Sequence, residues 1–384
     1  MLDKTNGNSE PGPDREEEFS HQDLYQRSVK SFLAPVWGLI EDESVSEIMI
    51  NGPSQIFCER SGRVELTNCV FETDAHLMAA ARNISDFVGR KFNIHHPSTD
   101  ARHPDGSRVH LLLPPASRAG VSITIRKFKK ADFGIEQLIQ WGSLNGLSAE
   151  FIRVAVRSHK NVVVAGGTGT GKTTFLNAIS EAIDPAERII VIEDSSELRL
   201  AKPHVVYLET QPPQPNGEGA MSIRDLFVAS LRMRPDRIVV GEVRRGEALD
   251  LIQSMLSGHA GSLSTVHAST PRDALTRLET LCLMSDVGLP VYVARTQVAS
   301  AVDLIVQLAR FGDGSRQVSA ISEVLPLGSE QEYRFRDLFR VTRNRTPSGR
   351  RELVWTGEKA SCLDPRTNVD VDFDAVPKEV KEIC

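Results

Sequence analysis

The segment Gly166-Gly167-Thr168-Gly169-Thr170-Gly171-Lys172-Thr173 fits G-x-x-x-x-G-K-[ST], a spacing that serves phosphate binding. Its glycines let successive backbone N–H groups curl around an anion without Cβ clashes. The helix expected from Thr174 onward points its positive N-terminus at the same anion. Lys172 should reach the β- and γ-phosphates of a nucleotide, and Thr173 offers a hydroxyl to Mg²⁺. The context this reading needs is present: residues 162–165 predict a short buried strand before the loop, and 174–183 a helix after it.

Two carboxylate-bearing segments follow. Ile189-Ile190-Val191-Ile192 runs into Glu193, Asp194 and, after two serines, Glu197. Acidic residues at the C-terminal end of a parallel strand face the ligand crevice. There they can polarise an attacking water or hold Mg²⁺ through water. Arg237-Ile238-Val239-Val240-Gly241-Glu242 is a second apolar strand ending in an acid, the Walker-B pattern. Spacing leaves open which of Glu193 and Glu242 is the general base, and a solvated turn is the bland alternative for either. His259 and His267 bracket a Gly/Ala/Ser/Thr segment. An imidazole beside a γ-phosphate can donate a hydrogen bond and report hydrolysis; capping or core histidines are the alternative. Nothing nearby completes a zinc set. Arg108 and Arg126 flank strands early in the chain, and Arg232 and Arg234 precede the third apolar strand. A nucleotide site between domains or subunits needs such cations against developing phosphate charge.

The elements that must position these groups divide the 384 residues. Residues 1–20 are acidic and Pro/Gly-containing, the composition of a disordered tail. Residues 21–130 mix helical and strand patterns, including a helix at 74–88 with Asp74 as its cap and strands at 109–113 and 121–125. That is the pattern of a small α+β domain. Residues 131–147 read as a linker. Residues 148–345 alternate short apolar strands with helices, which implies a parallel sheet covered on both faces. Residues 346–384 carry no assignable pattern. The net charge of −6 argues against direct nucleic-acid coating. The five cysteines form no CxxC pair and suit free thiols in a reducing compartment. No run approaches the ~20 apolar residues of a spanning helix, so membrane contact is expected only through partners.

In order, GGTGTGKTT, IEDSSEL, LRMRPDRIVVGEVRRGEALD and GHAGSLSTVHASTPRDALTRLE resemble the type II/type IV secretion ATPase superfamily. Within it, DGSRVHLLLPPAS and SITIRKF add a likeness to the tight-adherence (Cpa/Tad) pilus ATPases. The resemblance implies an α/β fold: a smaller N-terminal α+β domain joined to a RecA-like P-loop ATPase domain, assembled as a homo-hexamer. It implies ATP and Mg²⁺ as ligands and inner-membrane platform proteins as partners of a cytoplasmic motor for pilus assembly or secretion. It makes Glu193, Asp194 and Glu197 an Asp box, Glu242 the Walker-B glutamate, and His259 and His267 a His box. Arg108 and Arg126 would reach the phosphates. A conjugation or type IV secretion ATPase for DNA or protein export is the alternative, and a nonhydrolysing nucleotide-binding scaffold a more distant one. GEVRRG departs from the expected GEVRGG at Arg245, and no tetracysteine zinc motif is present.

Overall fold

The computed structural model describes residues 21–60, 62–103, 105–127, 133–213, 217–345, 351–363 and 376–384. The expected tail at 1–20 lies outside them. The chain divides into two compact units, Met1–Lys129 and Lys130–Cys384.

The first unit runs α1 (His21–Phe32), α2 (Ala34–Glu41), β1 (Val45–Asn51), β2 (Ile56–Arg60), β3 (Arg63–Leu66), α3 (Asp74–Phe87), β4 (Ser98–Arg102), β5 (Arg108–Leu112) and β6 (Ser122–Arg126). Its six strands pair antiparallel in the order β3-β2-β1-β6-β5-β4. Alternation places Val109, Leu111, Ile123 and Ile125 on the buried face. The α3 stripe Leu77, Ala80, Ala81 and Ile84 joins the same core. The cap of α3 is Thr73, not Asp74: Thr73 is extended and its hydroxyl accepts the His76 N–H at 3.1 Å, whereas Asp74 is already helical.

The second unit runs α4 (Ile135–Gln140), α5 (Gly146–Arg157), β7 (Val162–Gly166), α6 (Lys172–Ile179), β8 (Ile189–Glu193), β9 (Val205–Glu209), α7 (Ile223–Ser230), β10 (Arg237–Val240), α8 (Glu247–Leu256), β11 (Leu263–Val266), α9 (Pro271–Leu283) and α10 (Val291–Ala301). It closes with β12 (Leu304–Arg310), β13 (Arg316–Leu325), β14 (Arg334–Arg345), β15 (Arg351–Trp355) and α11 (Lys378–Lys381). The nine strands lie in the order β15-β14-β13-β12-β7-β11-β10-β8-β9. From β12 to β9 every pairing is parallel, and β13 to β15 extend the sheet as an antiparallel meander.

The continuous apolar runs follow from burial on both faces. Val162, Val164, Ile189 and Val191 enter one core, and Val163, Ala165, Ile190 and Ile192 the other. The segment read as a linker belongs to this unit: Ile135, Leu138 and Leu144 sit in the first core. So do Leu353, Leu363, Val380 and Ile383 from the stretch beyond 345 that carried no pattern. Among the described residues no helix is long and apolar enough to cross a membrane.

Candidate functional site

Parallel pairing brings the C-terminal ends of six strands to one edge of the sheet, and the loops there hold most of the chemistry-bearing residues. β7 ends at Gly166 and α6 begins at Lys172. Gly171 caps α6 at φ 92°, a left-handed conformation that glycine adopts without strain. A Cβ at Gly166 would meet Thr170 Oγ1 at 2.5 Å, so the strand-to-loop turn closes only on glycine. Thr170 Oγ1 donates to the Gly167 carbonyl at 2.9 Å, and Lys172 Nζ donates to the same oxygen at 3.1 Å. Gly167, Thr168 and Gly169 form an exposed tip, with Thr173 and Thr174 partly exposed on the first turn of α6.

Beside this loop, β10 leads to Glu242 and β11 to His267. Lys172 Nζ lies 3.4 and 3.5 Å from the two His267 ring nitrogens, and His267 Nε2 lies 2.9 Å from Glu242 Oε1. Arg244 completes the group: it donates to Glu242 Oε2 at 2.8 Å and to Asp194 Oδ2 at 3.2 Å. Burial lowers the Lys172 ammonium pKa against the opposing pull of Glu242. Burial, then the Lys172 charge, holds the His267 ring below its ordinary range, so it is neutral near pH 7. Burial works to raise the Glu242 carboxyl, but the Arg244 hydrogen bond and charge, with His267 and Lys172, outweigh it and keep it low. The result is an ionised carboxylate, a neutral imidazole and a cation in one chain of contacts.

The two candidate bases separate here. Glu193 is buried, and its Oε1 accepts the backbone N–H groups of Glu197 at 2.8 Å and Leu198 at 3.0 Å. Its side chain packs under Gly241, where an added Cβ would meet Glu193 Cγ at 2.8 Å. Glu193 therefore braces the turn that follows β8. Asp194 is exposed and bonds Thr210 and Arg244, and Glu197 is close enough to act on Lys172 through its charge.

Other expected site residues lie elsewhere. His259 precedes β11 whereas His267 follows it. The strand between them spans about 10 Å at ~3.3 Å per residue. His259 sits at the opposite edge of the sheet, its N–H donating to the Ser254 carbonyl at 3.1 Å. Arg232 and Arg234 precede β10 and occupy that same far edge. Arg108 and Arg126 are direct cross-strand neighbours in the first unit. Arg126 also stands opposite Glu47 in β1 and opposes the burial that raises the Glu47 carboxyl. Sequence reasoning missed Arg244 and singled out Arg245 instead. Each stands two residues from an acid, Arg244 from Glu242 and Arg245 from Glu247, and spacing does not say which one turns toward Glu242.

A family model described as "Type II/IV secretion system protein" matches residues 30–349. The type IV secretion system protein PtlH of Bordetella pertussis is 35% identical over 321 residues, covering 76% of this chain and 94% of that one. The conjugal transfer protein TrbB of Rhizobium radiobacter is 32% identical over 305 residues, covering 77% and 89%. In fold, the chain is similar to the X-ray structure of the Legionella pneumophila ATPase DotB, with a TM-score of 0.51 at 19% identity, covering 83% of this chain and 84% of that one. The expected fold class, a RecA-like P-loop domain with a smaller N-terminal α+β domain, is borne out. The relatives named here are type IV secretion and conjugation proteins, a different emphasis from the tight-adherence likeness.

Proposed function

The chain belongs to the type II/IV secretion system protein family, and from that premise we propose that it is a Mg²⁺-dependent ATPase, the ring-forming motor of a secretion machine. The observation that carries this is the contact chain Lys172–His267–Glu242–Arg244 beside the glycine loop.

The donor set fits a nucleotide polyphosphate. The loop is shaped by glycines that a Cβ would disrupt, its tip is open, and the Lys172 ammonium stands at the start of α6. The N–H groups of Gly167 to Thr173 and the α6 N-terminus would bind the phosphates. Lys172 would turn from the Gly167 carbonyl to the β- and γ-phosphates, and Thr174 continues the same helix turn. The Thr173 hydroxyl with Asp194 and Glu197 offers the hard oxygen donors that Mg²⁺ prefers; such sites leave other positions to water and phosphate. When bound, Mg²⁺ supplies charge neutralisation on the transferring phosphoryl group.

Glu242 is our general base. Its carboxylate is ionised and hydrogen-bonded by its neighbours, so it can orient a water and accept its proton. His267, neutral beside it, has one ring N–H to donate, so it can give that hydrogen bond to the γ-phosphate in place of Glu242 and sense that group's departure. Glu193 holds the acidic loop in place. Arg108 and Arg126 keep the role implied by resemblance, offsetting phosphate charge. The ring is a homo-hexamer in the cytoplasm, working through inner-membrane platform proteins without direct nucleic-acid contact.

Two finer readings remain distinct. The relatives favour a type IV secretion or conjugation motor; DGSRVHLLLPPAS and SITIRKF favour tight-adherence pilus assembly. Lys172→Ala tests the shared claim: Mg²⁺-dependent phosphate release should fall to background. Wild-type turnover in that variant, from hydrolase-free protein, would remove the site.

A further inference from the structure

β12 and β13 are joined by the hairpin 311–315, and this hairpin projects past the strand edge that carries the glycine loop. β12 runs beside β7 in parallel register, Leu308 opposite Gly166, so the residues after Leu308 extend beyond the end of β7. Arg310 closes β12 and Arg316 opens β13, and the two are direct register partners. An antiparallel pair sends both side chains to one face. The loop glycines mark that face: a Cβ at Gly169 would lie 3.9 Å from Arg310 Nη1, and one at Gly171 would lie 3.9 Å from Arg316 Cδ. Two guanidinium side chains therefore lie against the two left-handed glycines of the phosphate loop.

The hairpin is built rather than loose. The Phe311 N–H donates to the Ser315 carbonyl at 2.9 Å, and the Gly314 N–H to the Phe311 carbonyl at 2.9 Å. Asp313 Oδ1 accepts from Ser315 Oγ at 2.6 Å and from the Ser315 N–H at 3.0 Å. Ser143 Oγ donates to the Arg316 carbonyl at 2.8 Å, and the Arg351 guanidinium stacks 5.1 Å over the Phe311 ring. Like charges placed directly opposite one another in a sheet are destabilising. Both arginines are exposed, and among the described residues neither forms an ion pair. Among the described residues no ion pair offsets this repulsion, whereas an anion held in the loop would.

The geometry points to Arg310 and Arg316 as a phosphate clamp, a pair of binding residues that grip the polyphosphate of a nucleoside di- or triphosphate from the side opposite Glu242's group on β10. This placement follows from strand order, because β12 and β11 flank β7 on its two sides. The inference rests on the nucleotide reading of the glycine loop and deepens it. Arginine suits the task because its planar fork pairs with phosphate oxygens in a fixed geometry.

The test uses the full chain, a fluorescent ADP analogue, and inorganic tripolyphosphate as its competitor. The double variant Arg310→Gln/Arg316→Gln should bind both at least tenfold more weakly than wild type, with a melting temperature equal to or above that of wild type. Arg310→Lys/Arg316→Lys should recover part of that loss, since a point cation still attracts phosphate. Wild-type affinity in the glutamine variant, with Lys172→Ala still defective, overturns the clamp and leaves the nucleotide site standing. A loss that comes with a lowered melting temperature and is not recovered by lysine makes the residues structural, which also overturns it. Absence of binding by the wild type removes the nucleotide reading itself.

Discussion

His267→Ala should slow ATP turnover while His259→Ala leaves it near normal, although the two histidines look equivalent in the sequence. His267 meets two groups of the proposed site: its Nε2 is 2.9 Å from Glu242 Oε1, and Lys172 Nζ approaches its ring at 3.4 Å. Hydrogen bonds to charged groups are worth about 1.5–3 kcal/mol. The His267 side chain is 43% exposed, and water will replace part of what is lost. We therefore take a value just below that range, about 1.4 kcal/mol, which is roughly tenfold in rate. His259 stands a strand length away at the other edge, and its removal touches no group of the site. The assay is steady-state phosphate release at saturating ATP, with analogue affinity measured in parallel. Truncation of His267 should lower turnover with affinity within about threefold of wild type. Equal losses of turnover in both variants, with binding and melting intact, would refute the assignment of His267 to the site by sheet edge.

Three further outcomes follow from buried groups. Glu193→Ala strands the N–H groups of Glu197 and Leu198, at a cost of about 1–3 kcal/mol; a thermal melt equal to wild type would contradict its bracing role. Arg237 is fully buried, pairs with Glu187, and donates to the carbonyls of Val156 at 2.7 Å and Gly261 at 3.1 Å. Arg237→Met should cost about 3–5 kcal/mol by removing the buried guanidinium from Glu187, and denaturant unfolding within about 1 kcal/mol of wild type, on the order of measurement scatter, would dismiss it. Burial raises the Asp303 carboxyl above its ordinary 3.8. The folded state then binds more protons than the unfolded one, so the Asp303 contribution is largest below that value and declines as pH rises through the raised one. Asp303→Asn, whose amide oxygen can still accept the Asn161 N–H, should gain melting temperature relative to wild type between pH 4 and pH 8; a difference independent of pH contradicts this.

Much of the fold was legible because its signals are local. A strand, a glycine loop and a helix stand in a row from 162 to 179, and each follows from side chains a few residues apart. The β-branched runs at 162–165 and 189–192 announced two-sided burial, and the structure divides their side chains between two cores. The stretch beyond 345 was not legible. Leu353 stands in a run of only three apolar residues and Leu363 is flanked by Cys362 and Asp364, neither with a period, and β15 exists because β14 offers it an edge.

The site itself was legible as an inventory of residue types and only partly as an arrangement. That Lys172, Glu242, His267 and the acids after β8 can serve phosphate chemistry follows from their types and neighbours. Which of them meet was decided by tertiary structure, because a strand carries its two ends to opposite edges of a sheet whatever the resemblance between its flanks. β11 parts His259 from His267 in this way. The packing of Gly241 over Glu193 occupies one glutamate and leaves the other at the loop. Arg244 rather than Arg245 reaches Glu242, and Arg310 and Arg316, far along the chain from the glycine loop, stand beside it because β12 pairs with β7. Contacts between residues distant in sequence depend on strand order, and strand order is set by how the whole sheet buries its two faces.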